Sequence, residues 1–323
     1  MALPANEKIL TLDHWKLASQ IQVGDYLFDR LGRLTKVTSI QSYMPTKCYR
    51  VDFDDGLSIV GDGNLTLYLE DLKYRHRATT WKGKNKFRRP LKQIPINKLV
   101  DTYLEKRYSV PTCGALQFPT QDLPVPPFLF GYWFKSKFKR SLLSVKPEYY
   151  EFFEAKLKDL GYEIPKSYVM QKRLSFEIIP PIEQQLKPNI PSTIPDNYLM
   201  ASVEQRVELL SGILMVGRRQ YSVKGSYYIT TQSKTLLRKL QWLLDSLGIR
   251  SHVNVIPNRR TYILTFRTWY KIHPNHPEER KRVHQARRYV NNIEEVKPQL
   301  CVHIETDSED GSYVAAEGFI TCR

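Results

Sequence analysis

Apolar residues recur at helical spacing in residues 206–216, RVELLSGILMV, where Val207, Leu210 and Leu214 share a face. An earlier run, residues 126–137, PPFLFGYWFKSK, has the same character. Each predicts a short buried helix with one glycine inside it, Gly212 in the later and Gly131 in the earlier. A glycine within a helix costs about 1 kcal/mol against alanine, so its matching placement predicts close backbone approach between two helices.

The pattern after each glycine matches as well. Residues 141–145 predict a strand, and Pro147 opens a helix with Tyr149, Phe152, Phe153, Leu157 and Leu160 on one face, stopped by Gly161. After Gly212, residues 226–231 predict a strand and Ser233 a helix cap. Leu236, Leu240, Leu243 and Leu247 then form a stripe that Gly248 ends. Lys158-Asp159-Leu160-Gly161-Tyr162 and Asp245-Ser246-Leu247-Gly248-Ile249 close the two helices alike. Each is followed by β-rich sequence, residues 168–179 in one case and 252–256 with 261–266 in the other. The whole reads as an internal duplication with a period of about eighty residues, the offset from Gly131 to Gly212.

The N-terminal part has a different rhythm. Short strands are predicted at 8–12, 26–28, 34–42 and 47–53, with turns at 30–33 and at Asp54-Asp55-Gly56. The same rhythm resumes at 300–305 and 313–316, around a turn at 307–311, and ends at Gly318-Phe319-Ile320. Pro119, Pro124, Pro126 and Pro127 precede the duplicated unit, and Pro180, Pro181, Pro188, Pro191 and Pro195 separate its halves. The expected organisation is therefore an all-β domain over 1–117 and 289–323, interrupted by the duplicated domain over 118–288.

With these elements in place the duplicated unit resembles a LAGLIDADG homing endonuclease. That resemblance implies an α+β class with a pseudo-twofold αββαββ repeat, in which two motif helices pack beneath a saddle of strands that sits on DNA. Laying residues 210–218 and 129–137 on the motif puts Gly217 and Ser136 at the final acidic position, which in the family binds the catalytic metal. Neither is a carboxylate, and metal-assisted phosphodiester cleavage needs hard oxygen ligands. No Asp or Glu occurs between Pro126 and Pro147 or between Leu209 and Leu244, so a shifted register supplies none. Lys135, Lys137, Arg218 and Arg219 would repel a cation there and suit DNA phosphates instead. The expectation is a retained fold with a lost nuclease, no metal site, and no cofactor unless Mg²⁺ serves a residual activity.

The β-rich part resembles the Hint fold of inteins and hedgehog autoprocessing domains. Ile9-Leu10-Thr11 to Trp15, then Ile21-Gln22-Val23-Gly24-Asp25-Tyr26-Leu27-Phe28-Asp29, match its opening. In inteins a LAGLIDADG nuclease is commonly inserted in this fold. The resemblance places the splicing positions at Ala2, Asn64, Cys322 and Arg323. Ala2 stands where a Cys or Ser nucleophile belongs. Asn64 of Gly61-Asp62-Gly63-Asn64 stands where a His polarises the scissile peptide, or Leu65 does if the register is one later. Asparagine donates a hydrogen bond but transfers no proton near neutral pH. Cys322-Arg323 replaces a terminal His-Asn, and arginine cannot cyclise to a succinimide.

Composition sharpens the choice of partner. Forty-nine Lys and Arg against thirty-three Asp and Glu give a formal +16 in 323 residues, which favours nucleic acid over membrane. Residues 73–89, KYRHRATTWKGKNKFRR, carry eight Lys or Arg, no acid, and three interleaved aromatics, the pattern of a phosphate-gripping arm. Lys82, Lys84, Lys86, Arg88 and Arg89 are its expected DNA contacts. A second basic run, 279–288, is expected to be a solvated helix face, and His273, His276 and His284 lack partners for zinc. The four cysteines, Cys48, Cys113, Cys301 and Cys322, form no CxxC pair, and no signal peptide or membrane span is visible. A cytoplasmic monomer is expected, binding double-stranded DNA and, if it splices, flanking host segments; a phage DNA-processing protein such as a terminase is the imagined host. The readings are an intein-type element with degenerate splicing and cleavage residues, or a non-catalytic DNA-binding protein that keeps the saddle.

Overall fold

Antiparallel strands with one packed face build the first of two units, which comprises Met1–Gln117, Leu244–Arg250 and His284–Arg323. The computed structural model describes residues 2–71, 91–100, 108–136, 142–162, 167–170, 173–177, 193–216, 226–274 and 287–323. One sheet of this unit orders Leu3–Pro4, Cys301–Thr306, Leu34–Tyr43 and Tyr26–Phe28. A larger one runs Tyr313–Ala315, Ile320–Cys322, Thr66–Asp71, Tyr108–Pro111, Arg287–Val296, Cys48–Phe53 and Ser58–Asp62, with Lys92–Pro95 also paired to Thr66–Asp71.

Buried positions alternate with exposed ones along Leu34–Val37 and with a half-buried one along Val51–Phe53, as strands with one face on a core require. Leu27, Val37, Val51, Ile59, Leu67, Val110, Val290, Val302, Ile304 and Ile320 meet in that core. The turns fall where the sequence puts glycine: Gly32 (φ +81°) closes 29–33 and Gly56 (φ +81°) closes 53–57.

The second unit comprises Phe118–Leu243 and Ser251–Val283. Its helices among the described residues are α1 (Pro127–Ser136), α2 (Tyr150–Asp159), α3 (Asp196–Leu199), α4 (Val203–Leu214) and α5 (Lys234–Ser246), the last turn of α5 being counted with the first unit. Two three-stranded antiparallel sheets follow one plan. Leu142–Val145 and Ser167–Met170 flank Arg173–Glu177, just as Tyr227–Thr231 and Ser251–Ile256 flank Thr261–Phe266. In each half the described order is helix, strand, helix, strand, strand; residues 137–141 and 217–225, which follow the first helix of each half, lie outside the described residues.

Two sequence expectations are corrected. The basic run 279–288 does not end as a solvated helix face: Arg287 and Arg288 begin the strand Arg287–Val296, and Arg288 is 2% exposed. Its guanidinium bonds Asp55 at 2.7 Å and Asp245 at 3.1 Å, and those two carboxylates compensate its burial. Leu160, expected on the apolar face of α2, is instead exposed, beside buried Phe153 and Leu157.

Candidate functional site

Within the first unit, the segment from Asp62 to Thr66 joins the strands Ser58–Asp62 and Thr66–Asp71 through a turn in which the Leu65 N–H donates to the Asp62 carbonyl at 3.0 Å. Each end of this segment meets a residue that the sequence resemblance sets among the expected splicing positions, Ala2 at one end and Arg323 at the other. The Ala2 N–H donates to Asp62 Oδ1 at 2.8 Å, and the Asp62 N–H donates back to the Ala2 carbonyl at 3.0 Å. Four residues on, Thr66 and Arg323 exchange two backbone hydrogen bonds, at 3.1 and 3.0 Å. Cys322 pairs with Leu67 and is fully buried, which pushes its thiol well up from the usual cysteine range.

Asp62 itself is buried, whereas Tyr43, which bonds it, is exposed over about a third of its surface, 36%. The Tyr43 hydroxyl donates to Asp62 Oδ2 at 2.8 Å, and burial together with that carboxylate holds the phenol above its ordinary value. Cys48 lies opposite Asp62 across one strand pair and Cys301 opposite Tyr43 across another. Their sulfurs are 3.8 Å apart, and with Ala2 they form a small buried cluster. Burial and the neighbouring Cys48 push the Cys301 thiol up to about 12.

Of the two residues expected to polarise the scissile peptide, Asn64 is exposed and Leu65 is fully buried in the core. The side chain that hydrogen-bonds the Ala2 backbone is that of Asp62. The signal was present in Gly61-Asp62-Gly63-Asn64, since a carboxylate at a strand end flanked by glycine is a candidate for a buried turn. The pairings that bring Tyr43, Cys48 and Cys301 to it were not visible.

In the second unit, α1 and α4 cross at their glycines with reciprocal geometry. A Cβ on Gly131 would lie 2.3 Å from the Leu209 carbonyl oxygen and 3.0 Å from the Ile213 nitrogen. A Cβ on Gly212 would lie 2.0 Å from the Phe128 oxygen and 2.8 Å from the Tyr132 nitrogen. Each glycine thus faces the residues three before and one after the other, which is local twofold symmetry. Aromatic rings pack behind α1: Phe130 stacks on Tyr198 at 4.0 Å between centroids, and Phe128 and Tyr132 both meet Phe153.

Of the expected nuclease and DNA positions, Ser136 is the last residue of α1 and Lys135 is half-buried, donating to the Thr230 carbonyl. Gly217, Lys137, Arg218, Arg219, Lys82, Lys84, Lys86, Arg88 and Arg89 lie outside the described residues, as do His276 and His284. His273 is buried against the rings of Tyr149 and Tyr227. Among the described residues no group of three His, Cys, Asp or Glu could hold a metal ion, and no helix is long and apolar enough to cross a membrane.

No model of a known protein family matches the chain. A replicative DNA helicase DnaB of Mycobacterium intracellulare is 23% identical over 99% of the chain, which spans 58% of that relative's length. Similar solved structures are of two kinds. The MchDnaB-1 intein is 29% identical, over 21% of this chain and 53% of its own, with a TM-score of 0.20. The homing endonuclease I-DmoI, in complex with DNA and Mn, is 13% identical, over 44% of this chain and 89% of its own, with a TM-score of 0.32. The chain is thus similar to inteins and to a homing endonuclease, in a mixed α and β architecture made mostly of strands.

Proposed function

We propose that the chain is an intein-type element in which a DNA-binding unit derived from a homing endonuclease interrupts a splicing-type unit, with the reacting residues of both activities replaced. The observation that carries this reading is the 62–66 segment, which holds residue 2 at one end and residue 323 at the other although 320 residues of chain separate them. Joining two flanking segments requires that the bonds before and after such an element lie close together, and the sharing of this one segment by residues 2 and 323 supports that. The reciprocal crossing of α1 and α4 supports the second half of the reading, because two copies of one unit meeting at a twofold axis suit the near-symmetric faces of duplex DNA.

The chemistry follows from the residues. Ala2 offers no side-chain nucleophile for the preceding carbonyl, and an arginine such as Arg323 cannot cyclise, so the usual reacting residues of both steps are replaced. With Ser136 and Gly217 at the acidic positions, Mg²⁺ has no carboxylate there to hold it beside a phosphate. DNA binding is the activity retained. A host that works on DNA, as the matched helicase does by its name, accords with this reading.

Reporter segments placed on both sides of the chain test it. The unmodified precursor should stay a single band on a denaturing gel, and the chain should not cut plasmid with Mg²⁺ or Mn²⁺. Ala2→Cys with Cys322→His and Arg323→Asn should yield processed or ligated products. Spontaneous ligation or site-specific cutting by the unmodified chain would sink the degenerate reading. DNA binding with no processing in the restored variant would favour a non-catalytic DNA-binding protein.

A further inference from the structure

We propose that Asp62, held by Tyr43, is the acid–base residue for the peptide bond that precedes residue 2; this rests on the intein-type reading above. The family pattern points to position 64 for that task, yet Asn64 is exposed while Asp62 is 2% exposed. Oδ1 of Asp62 lies 2.8 Å from the nitrogen that would leave when that bond breaks. Its other oxygen accepts from the Tyr43 hydroxyl at 2.8 Å, and its own N–H donates to the Ala2 carbonyl. Residue 2 is therefore clamped on both sides of its α-carbon, with a carboxylate on the nitrogen.

The nitrogen must gain a proton when the carbon–nitrogen bond breaks. An asparagine cannot supply one, whereas a carboxyl can take and return one. The balance is complete once a nucleophile is installed by Ala2→Cys. The sulfur bonds to the carbonyl carbon of residue 1 and the thiol proton passes to Asp62. The carbon–nitrogen bond then breaks and Asp62 hands the proton to the departing amine. The products are a thioester and a free α-amine, and no oxidant or metal enters. In the chain as it stands this machinery is idle because Ala2 gives it no nucleophile.

The experiment uses the full chain carrying Ala2→Cys behind an upstream reporter segment, with release of that segment by dithiothreitol followed over time. General acid–base groups contribute about 100-fold or more, so adding Asp62→Asn should slow release by at least about that factor. Tyr43→Phe should slow it less, on the order of tenfold, since the carboxylate stays but loses its anchor. Asp62→Glu should recover part of the rate that Asp62→Asn loses, which a purely structural role in the turn would not give. Asn64→Ala should slow release by less than about threefold, well short of an acid–base loss. Thermal melts identify any variant that fails to fold, in which case Tyr43→Phe and Asp62→Glu decide. Release that ignores Asp62→Asn, or that falls as far with Asn64→Ala, overturns the assignment and leaves the intein-type reading standing. An Ala2→Cys chain that forms no thioester overturns both.

Discussion

Arg288 sits in a basic run that reads as surface, and its environment is the opposite. Buried between Asp55 and Asp245, one guanidinium serves two carboxylates, and burial foremost, with the charge of Asp55 added, holds Asp245 up to about 6 despite the opposing pull of Arg288. For an acid whose folded value is raised, the folded state favours the protonated form. The stability this group contributes is then present below the ordinary carboxylate range and lost as pH rises through about 6. Thermal melts between about pH 4 and about pH 7 should show the parent losing stability against Asp245→Asn as pH rises. A difference that stays flat or reverses would contradict the account. The same blindness explains Asp62 and the cysteines. Residue types were legible, but Tyr43, Cys48, Asp62 and Cys301 come together through cross-strand registers, and alternation along a strand fixes which face a residue takes, not which strand lies beside it.

At the scale of elements the sequence was informative, because helical spacing and glycine stops have local causes. The two helix ends close alike, with the Tyr162 N–H on the Leu157 carbonyl and the Ile249 N–H on the Leu244 carbonyl, both at 2.9 Å, around left-handed Gly161 and Gly248. Helix α4 begins at Val203, three residues before the expected run, because Ser202 and Gln205 form a capping box, a signature that the apolar spacing alone did not include. The shared strand order, with the last strand of each half in the middle, was not legible for the reason given for registers. The glycines separate two kinds of cost. Gly161→Ala meets open space and should lose about 1 kcal/mol to the left-handed backbone, whereas Gly248→Ala also puts a Cβ 2.8 Å from the Cys113 carbonyl and should lose more. Gly212→Ala and Gly131→Ala drive a Cβ into helix backbone that cannot turn aside, and each should cost on the order of 3 kcal/mol. Denaturant melts of the four variants check the ranking; a Gly212→Ala protein as stable as the parent would remove the close helix contact from the account.

For the whole molecule, a β-rhythm that stops before the duplicated stretch and resumes after it was legible, and it leads to the expectation of a discontinuous plan. The return of residues 244–250 to the first unit was not, since Asp245 and Gly248 look like any helix ending until Arg288 and Thr112 are seen to bind them. What the whole chain brings to function beyond its folds is charge, a formal +16. Of the nine basic residues expected on DNA, Lys135 is the one within the described residues, and its ammonium already donates to a backbone carbonyl. The weight of the DNA proposal therefore falls on residues 73–89, with eight Lys or Arg in seventeen residues. Each phosphate contact releases counterions and contributes about 0.9 to the slope of log K against log salt. Replacing Lys82, Lys84, Lys86, Arg88 and Arg89 by glutamine should reduce that slope by up to about 4.5, the value if all five touch phosphate. Non-specific and specific duplexes should lose affinity together, because phosphate contacts carry no sequence information. The measurement is equilibrium binding to a labelled duplex at several salt concentrations, for parent and variant, with a melt of each to show that both are folded. An unchanged slope would clear this stretch of any part in binding, and binding indifferent to salt would mean that charge is not what brings the chain to DNA.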